Sequence, residues 1–260
     1  MVFEKGSLIL ANYTAKVKET KEAVDTTLEE DAKELGIHDP SKKYEPKLIS
    51  LGEGWVLQGL DEALMDVSVG EKLNVEVPPE KGFGARDAGK VRLIPLRKFG
   101  EKAHELRVRD EIEIEGRVGI VRLVGSGRVR IDFNHKFAGK TIQYEIEIIK
   151  QLKSDDEKTI SLIKRWIKAD EDKISIEFKD NIVNISLPED TYLTEGLQVS
   201  KRGISRDICR FIKKLEKVIF LEEYLAPKSE STPTDIKKED ESPAPDNKTS
   251  DMNRDKDSNE

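Results

Sequence analysis

Tyr13, the pair Val24-Asp25, the run Trp55-Val56-Leu57, Phe83 between Gly82 and Gly84, and Tyr144 form a scattered set of aromatic and branched apolar residues with one carboxylate among them. Taken singly, each suits a packed core. What the set offers is apolar wall and a polar exception at Asp25. The usual machinery of bond cleavage is missing: no GxSxG, HExxH or P-loop pattern occurs, and no pair of carboxylates reads as a hydrolytic acid and base. The three histidines, His38, His104 and His135, lie far apart without cysteine or clustered carboxylate company. Neither a metal nor a cofactor is expected.

These residues need a scaffold. In "GEGWVLQGLDEAL", Gly52 to Leu64, Leu57, Leu60 and Leu64 fall on one face of a helix too short to hold by itself, so it must pack on a sheet. The strands of that sheet are legible as alternation. Residues Ser7 to Val17 alternate, "PKLISLG" and "EKLNVEV" read as further strands, and Ile142, Tyr144, Ile146 and Ile148 share one face of "TIQYEIEIIKQL". Within this block, Gly116, Gly119, Gly125 and Gly127 divide Glu111–Phe133 into short strands, the mark of a small inserted β module. The polar stretch "LKSDDE", starting at Leu152, ends the strands and opens a second domain. There the order is helix, hairpin with Lys179-Asp180-Asn181 at its turn, helix and strand, with Ile204, Ile208, Phe211, Ile212 and Leu215 at helical spacing. The fold class is therefore α+β.

The chain has 260 residues, 37% of them charged, and a formal net charge of -7, a balance that argues for a soluble protein and against a general nucleic-acid binder. Its one cysteine, Cys209, rules out an internal disulfide and is expected in the core. No apolar run approaches the roughly 20 residues of a membrane span, and no signal-like h-region opens the chain, so no membrane is expected as a partner and the cytoplasm is the expected compartment. From Pro227 onward the sequence contains no aromatic, leucine or valine and reads as a disordered tail.

"AVDTT", "GEGWVLQGLDEALMDVSVGEKLNVEVPPEKGFGARD" and "IDFNHKFAGKTIQYEIEII" occur in an order that resembles the FKBP-type peptidyl-prolyl cis-trans isomerases, in their SlyD-like branch. The resemblance implies a curved antiparallel sheet wrapped on a short helix, with a small β domain inserted and an α+β domain following. Domains are expected at 1–97 with 133–152 (isomerase), 98–132 (insert-in-flap), 153–226 (C-terminal) and 227–260 (tail). It implies isomerisation of X-Pro bonds, with Tyr13, Asp25, Phe83 and Tyr144 as catalytic residues and Val24, Val56, Leu57 and Leu60 holding the substrate. Unfolded or partly folded proline-containing polypeptides are the implied partners, captured by the insert, whose nearly balanced charge argues against a nucleic-acid-binding barrel. The C-terminal block resembles the extra domain of long archaeal members and leaves a homodimer open.

Three positions depart from the family pattern. Leu60 stands where small eukaryotic members have tryptophan, Phe83 where a tyrosine is common, and Lys136 where proline is usual in "NHPLAG". The metal-binding histidine tail of some bacterial members is absent, so nickel handling is not carried over. A holdase with little turnover is the alternative that Phe83 keeps open, and a dimeric scaffold is a third.

Overall fold

The computed structural model describes residues 3–224. Strand β1 (Leu8–Val17) alternates between two interiors: Ile9, Ala11, Tyr13, Ala15 and Val17 are buried in one core, while Leu8 and, less completely, Leu10 enter another. A period of two lets a single strand serve both. It pairs antiparallel with β2 (Ala23–Thr26), then, beyond the short helix α1 (Glu29–Glu34), with β3 (Lys47–Ser50). Helix α2 (Gln58–Leu64) has only 7 residues. It buries Leu60 and Leu64 in the first core together with Val75 and Val77 of β4 (Lys72–Val77), so packing compensates for its short length.

The inserted module is a four-stranded sheet of β5 (Val91–Pro95), β6 (Glu111–Ile114), β7 (Arg117–Gly125) and β8 (Arg128–Asp132), in the order β5-β8-β7-β6. Its core is small, built on Val121, Val129 and Ile131. The module's sheet starts earlier than the expected 98: β5 pairs along its length with β8, so 91–95 belongs with the insert rather than with the surrounding domain. Alternation in "VRLIP" is too short to show which sheet it joins. Gly119 lies where a Cβ would come within 2.6 Å of Ile131, a close approach of backbone to core.

After the insert the chain returns as β9 (Ile142–Gln151), which takes the place between β1 and β4 and completes a five-stranded sheet. The second core follows. Helix α3 (Asp155–Trp166) is capped by Ser154, which accepts from Glu157 N–H, so a helix starts within the polar stretch "LKSDDE". A hairpin of β10 (Ser175–Lys179) and β11 (Ile182–Ser186) turns at Asp180, whose φ is +54°. Helix α4 (Leu197–Phe211) then crosses over to β12 (Lys217–Leu221), parallel to β11. Ile204, Ile208 and Ile212 are buried against Leu162 and Ile163 of α3. Gly203 is required here, because a Cβ would stand 2.5 Å from the Trp166 ring. Cys209 corrects its sequence reading: it is exposed, one helical step away from the buried Ile208 and thus on the outer side of α4. The tail expected at 227–260 lies outside the described residues.

A polar knot joins the insert to the domain that surrounds it. Asp132, at the end of β8, takes Arg86 at 2.6 Å and Arg122 at 3.4 Å, and accepts from the Asn134 backbone and side chain at 3.1 and 2.8 Å. Asn134 in turn bonds both backbone groups of Asp87. Burial opposes the charge on Asp132, but the Asn134 and Arg86 hydrogen bonds prevail and hold its pKa at about 2, below the ordinary 3.8. That stabilisation is complete above the ordinary value and is lost as pH falls towards the folded one. Asp132→Asn is therefore expected to lose about 1–3 kcal/mol at pH 7. In urea unfolding the gap from wild type closes as the pH approaches the folded pKa, and a gap independent of pH would contradict this.

Candidate active site

Tyr13 and Asp25 meet because β1 and β2 are antiparallel neighbours in the register Ala15↔Asp25. The Tyr13 hydroxyl donates to Asp25 Oδ2 at 2.5 Å. Thr27 fixes the backbone beside them, its Oγ1 accepting from Tyr13 N–H at 2.9 Å and its own N–H donating to Tyr13 C=O at 3.0 Å. Two lysines complete the group. Lys42 Nζ donates to Asp25 Oδ1 at 2.6 Å and to Thr26 C=O at 3.0 Å, and Lys47 Nζ to the Tyr13 oxygen at 3.1 Å. Asp25 thus binds side chains across the site instead of capping its own turn.

The electrostatics assign the protons. Burial works against ionisation of Asp25, yet the hydrogen bonds from Lys42 and Tyr13 outweigh it and hold the carboxyl below the ordinary carboxylate range. Burial, reinforced by the Asp25 charge, pushes the Tyr13 phenol far above its usual value. Tyr144 on β9 sits edge-on to Tyr13 at 5.8 Å between centroids, and its phenol is raised to about 12 by burial and then by Asp25. At neutral pH the site holds a carboxylate and two protonated phenols.

The apolar walls come from three other elements. Leu60 is buried on α2. Val56 and Leu57 precede that helix and pack partly exposed on the same core. Their placement depends on Asp61, a buried carboxylate that accepts from Gly52 N–H at 2.8 Å and Gly54 N–H at 3.1 Å. Both glycines have positive φ, 72° and 67°, so the turn that aims Trp55-Val56-Leu57 relies on residues free of a Cβ. Phe83 packs partly exposed on this core, its ring stacked on His135 at 4.3 Å and tilted against Phe137 at 5.6 Å. Lys136, the departure from proline, reaches Glu22 at 3.2 Å.

Of the eight residues expected at the site, Tyr13, Leu60 and Tyr144 are buried in the first core, Val24, Val56, Leu57 and Phe83 pack partly exposed against that core, and Asp25 bonds Tyr13. Sequence reasoning missed Lys42, Lys47, Asp61 and the stack of His135 on Phe83. The lysines lie in a polar stretch without period, and Asp61 looks like any acidic residue of a helix first turn. Only the aromatic pattern in "NHKFAG" offered a signal for the last. The arrangement presents apolar surface beside one oriented phenol–carboxylate pair, suited to holding a ligand in a fixed conformation in a place poor in water.

Comparison with known proteins gives matches to three family models. Residues 2–99 match "FKBP-type peptidyl-prolyl cis-trans isomerase", 92–137 match "FKBP26, IF domain", and 155–225 match "FKBP26_C-terminal". The short-type peptidyl-prolyl cis-trans isomerase of Methanocaldococcus jannaschii is 33% identical over 147 residues, covering 56% of this chain and 92% of that protein. The FKBP-type 16 kDa peptidyl-prolyl cis-trans isomerase of Escherichia coli is 23% identical, covering 56% and 91%. The FKBP-type isomerase SlyD of Haemophilus influenzae is 27% identical, covering 43% and 60%.

Replacing Lys42 with methionine removes a hydrogen bond and a positive charge from Asp25, so the Asp25 pKa is expected to rise. Carboxyl-carbon NMR titration of wild type and Lys42→Met reads this directly, and an unmoved titration would mean that Lys42 does not hold the carboxylate.

Proposed function

The chain belongs to the FKBP-type peptidyl-prolyl cis-trans isomerase family, and from that premise we propose that X-Pro bonds isomerise against the walls formed by Val24, Val56, Leu57, Leu60 and Phe83, with Tyr13, Asp25 and Tyr144 at the polar side. The observation that carries this reading is the Tyr13–Asp25 hydrogen bond set against an otherwise apolar cluster. Rotation about a peptide bond meets a barrier of about 18–20 kcal/mol because resonance stiffens the C–N bond. At the twisted midpoint that resonance, and the dipole it sustains, is lost. Water solvates the planar amide better than the twisted one, so walls that exclude water favour the midpoint. No bond breaks and no nucleophile is needed.

Within that pocket the Asp25 carboxylate anchors the Tyr13 ring and presents negative charge at the edge of the apolar wall. Phe83 contributes surface without the hydroxyl of a tyrosine, so substrate hold falls to shape and to the Tyr13 side. Unfolded or partly folded proline-containing polypeptides in the cytoplasm are the substrates of this reading. Capture of such chains falls to the insert. Leu93 on β5 and Leu123 on β7 both face Arg130 in register across the sheet, and both are exposed. Such aliphatic groups on a small sheet suit an extended polypeptide laid against it.

The first test is the cis-to-trans rate of an X-Pro tetrapeptide by NMR exchange. Wild type is expected to accelerate it, with Asp25→Ala about tenfold slower, a change of about 1.4 kcal/mol in barrier. A folded wild type that leaves the rate unchanged would reject the pocket reading and favour a holdase. The insert has its own test: Leu93→Ser with Leu123→Ser in the full chain should keep the tetrapeptide rate and slow catalysed, proline-limited refolding of a protein. Equal loss on both substrates would remove the case for separate capture.

A further inference from the structure

The C-terminal domain meets the segments that carry the candidate site. Segment 41–47, which belongs to no helix or strand until β3 begins, carries both lysines of the site: Lys42 on Asp25 and Lys47 on Tyr13. On its other side that segment is tied to α3 and the turn that follows. Lys164 Nζ donates to Glu45 Oε2 at 3.0 Å, Lys168 Nζ to Ser41 C=O at 3.4 Å, and Lys43 lies 3.9 Å from Asp170. The facing wall is held as well. Trp55, directly before Val56 and Leu57, takes the Arg165 guanidinium 3.9 Å from its ring centroid and meets Phe211 of α4 edge-on at 5.4 Å. Arg210 of α4 pairs with Glu53 two residues earlier. Between these two sets of ties lies a cavity of about 460 Å³ lined by Tyr13, Asp25, Lys47, Trp55, Lys164 and Arg165 among others.

We propose that the C-terminal domain is a positioning device for the isomerase pocket, acting through the Lys164–Glu45 bridge on the lysines that orient Asp25 and Tyr13, and through Arg165 on Trp55. The proposal rests on the isomerase reading of that pocket. Partly exposed ion pairs add little to global stability. Their effect here is geometric, because they act on a segment outside helix and strand up to β3, and placement errors of about 1 Å can reduce catalysis about a hundredfold. Glu45 and Lys164 line the cavity beside Tyr13 and Asp25, and in this account they are positioning residues that hold segment 41–47 without touching the reacting bond.

The test uses the full chain as wild type, Lys164→Met, Lys164→Arg and Glu45→Gln, with kcat and KM on one X-Pro tetrapeptide and thermal midpoints in parallel. The methionine and glutamine variants are expected to lose about fivefold in kcat with little change in KM. Their midpoints should stay within about 3 °C of wild type. Lys164→Arg should recover the rate, and the Asp25 titration should move upward in Lys164→Met as Lys42 loosens. Folded Lys164→Met and Glu45→Gln with wild-type kcat would overturn the proposal, as would a loss that arginine fails to recover. If Lys164→Met does not fold, Glu45→Gln, set in the irregular segment, decides alone. An inactive wild type overturns the isomerase reading itself, whereas active wild type with equally active variants overturns only the inference.

Discussion

One strand is shared by two interiors, and the rest of the architecture follows from that constraint. Odd-numbered positions of β1 from Ile9 to Val17 fill the core beneath α2, while Leu8 and Leu10 are taken up by the core of α3 and α4. Such a strand resists a slip in register, because a shift of one residue would take Ile9, Ala11, Tyr13, Ala15 and Val17 out of the first core and Leu8 and Leu10 out of the second. Tyr13 is therefore fixed in depth along the strand, and with it the position at which Asp25 must meet it. The C-terminal domain is thereby packed against the face of β1 that carries Leu8 and Leu10, and its Lys164 and Lys168 reach segment 41–47.

The candidate site has few polar groups. Its charged atoms are arranged in a chain, Lys42 to Asp25 to Tyr13, with Lys47 also on the phenol. Each member satisfies another, so the carboxylate stays ionised in surroundings that burial would otherwise make hostile to charge. The remaining surface can then be apolar. Asp61 plays the corresponding part for the backbone, since its two bonds to the glycine turn allow a wall to be held by main chain instead of by bulk.

Much of this was readable in the residues. Periodicity located the long strands and both C-terminal helices, and the polar stretch "LKSDDE" marked the start of a helical period. The eight site residues came from motifs in order, which carry tertiary information that alternation alone does not. What stayed hidden had physical reasons. The start of the inserted sheet depends on which partner a five-residue strand chooses, a non-local matter. Cys209 sits within an apolar-looking run, and one helical step separates a buried from an exposed side chain. Lys42, Lys47 and Glu45 occupy a charged stretch that resembles solvated loop until the structure brings another domain against it.

The divided sheet also sets an order of assembly during synthesis. β9 lies between β1 and β4, yet it follows the whole insert in the chain. Until Ile142–Gln151 has left the ribosome, the sheet around the pocket lacks its middle strand, and β1 has only its short partners β2 and β3. The strands of the insert are contiguous between Val91 and Asp132 and need nothing that comes later to pair with one another. Local pairing closes shorter loops and so precedes distant pairing. A nascent chain can thus present the outer face of its insert, with Leu93 and Leu123, before the sheet around it has its middle strand.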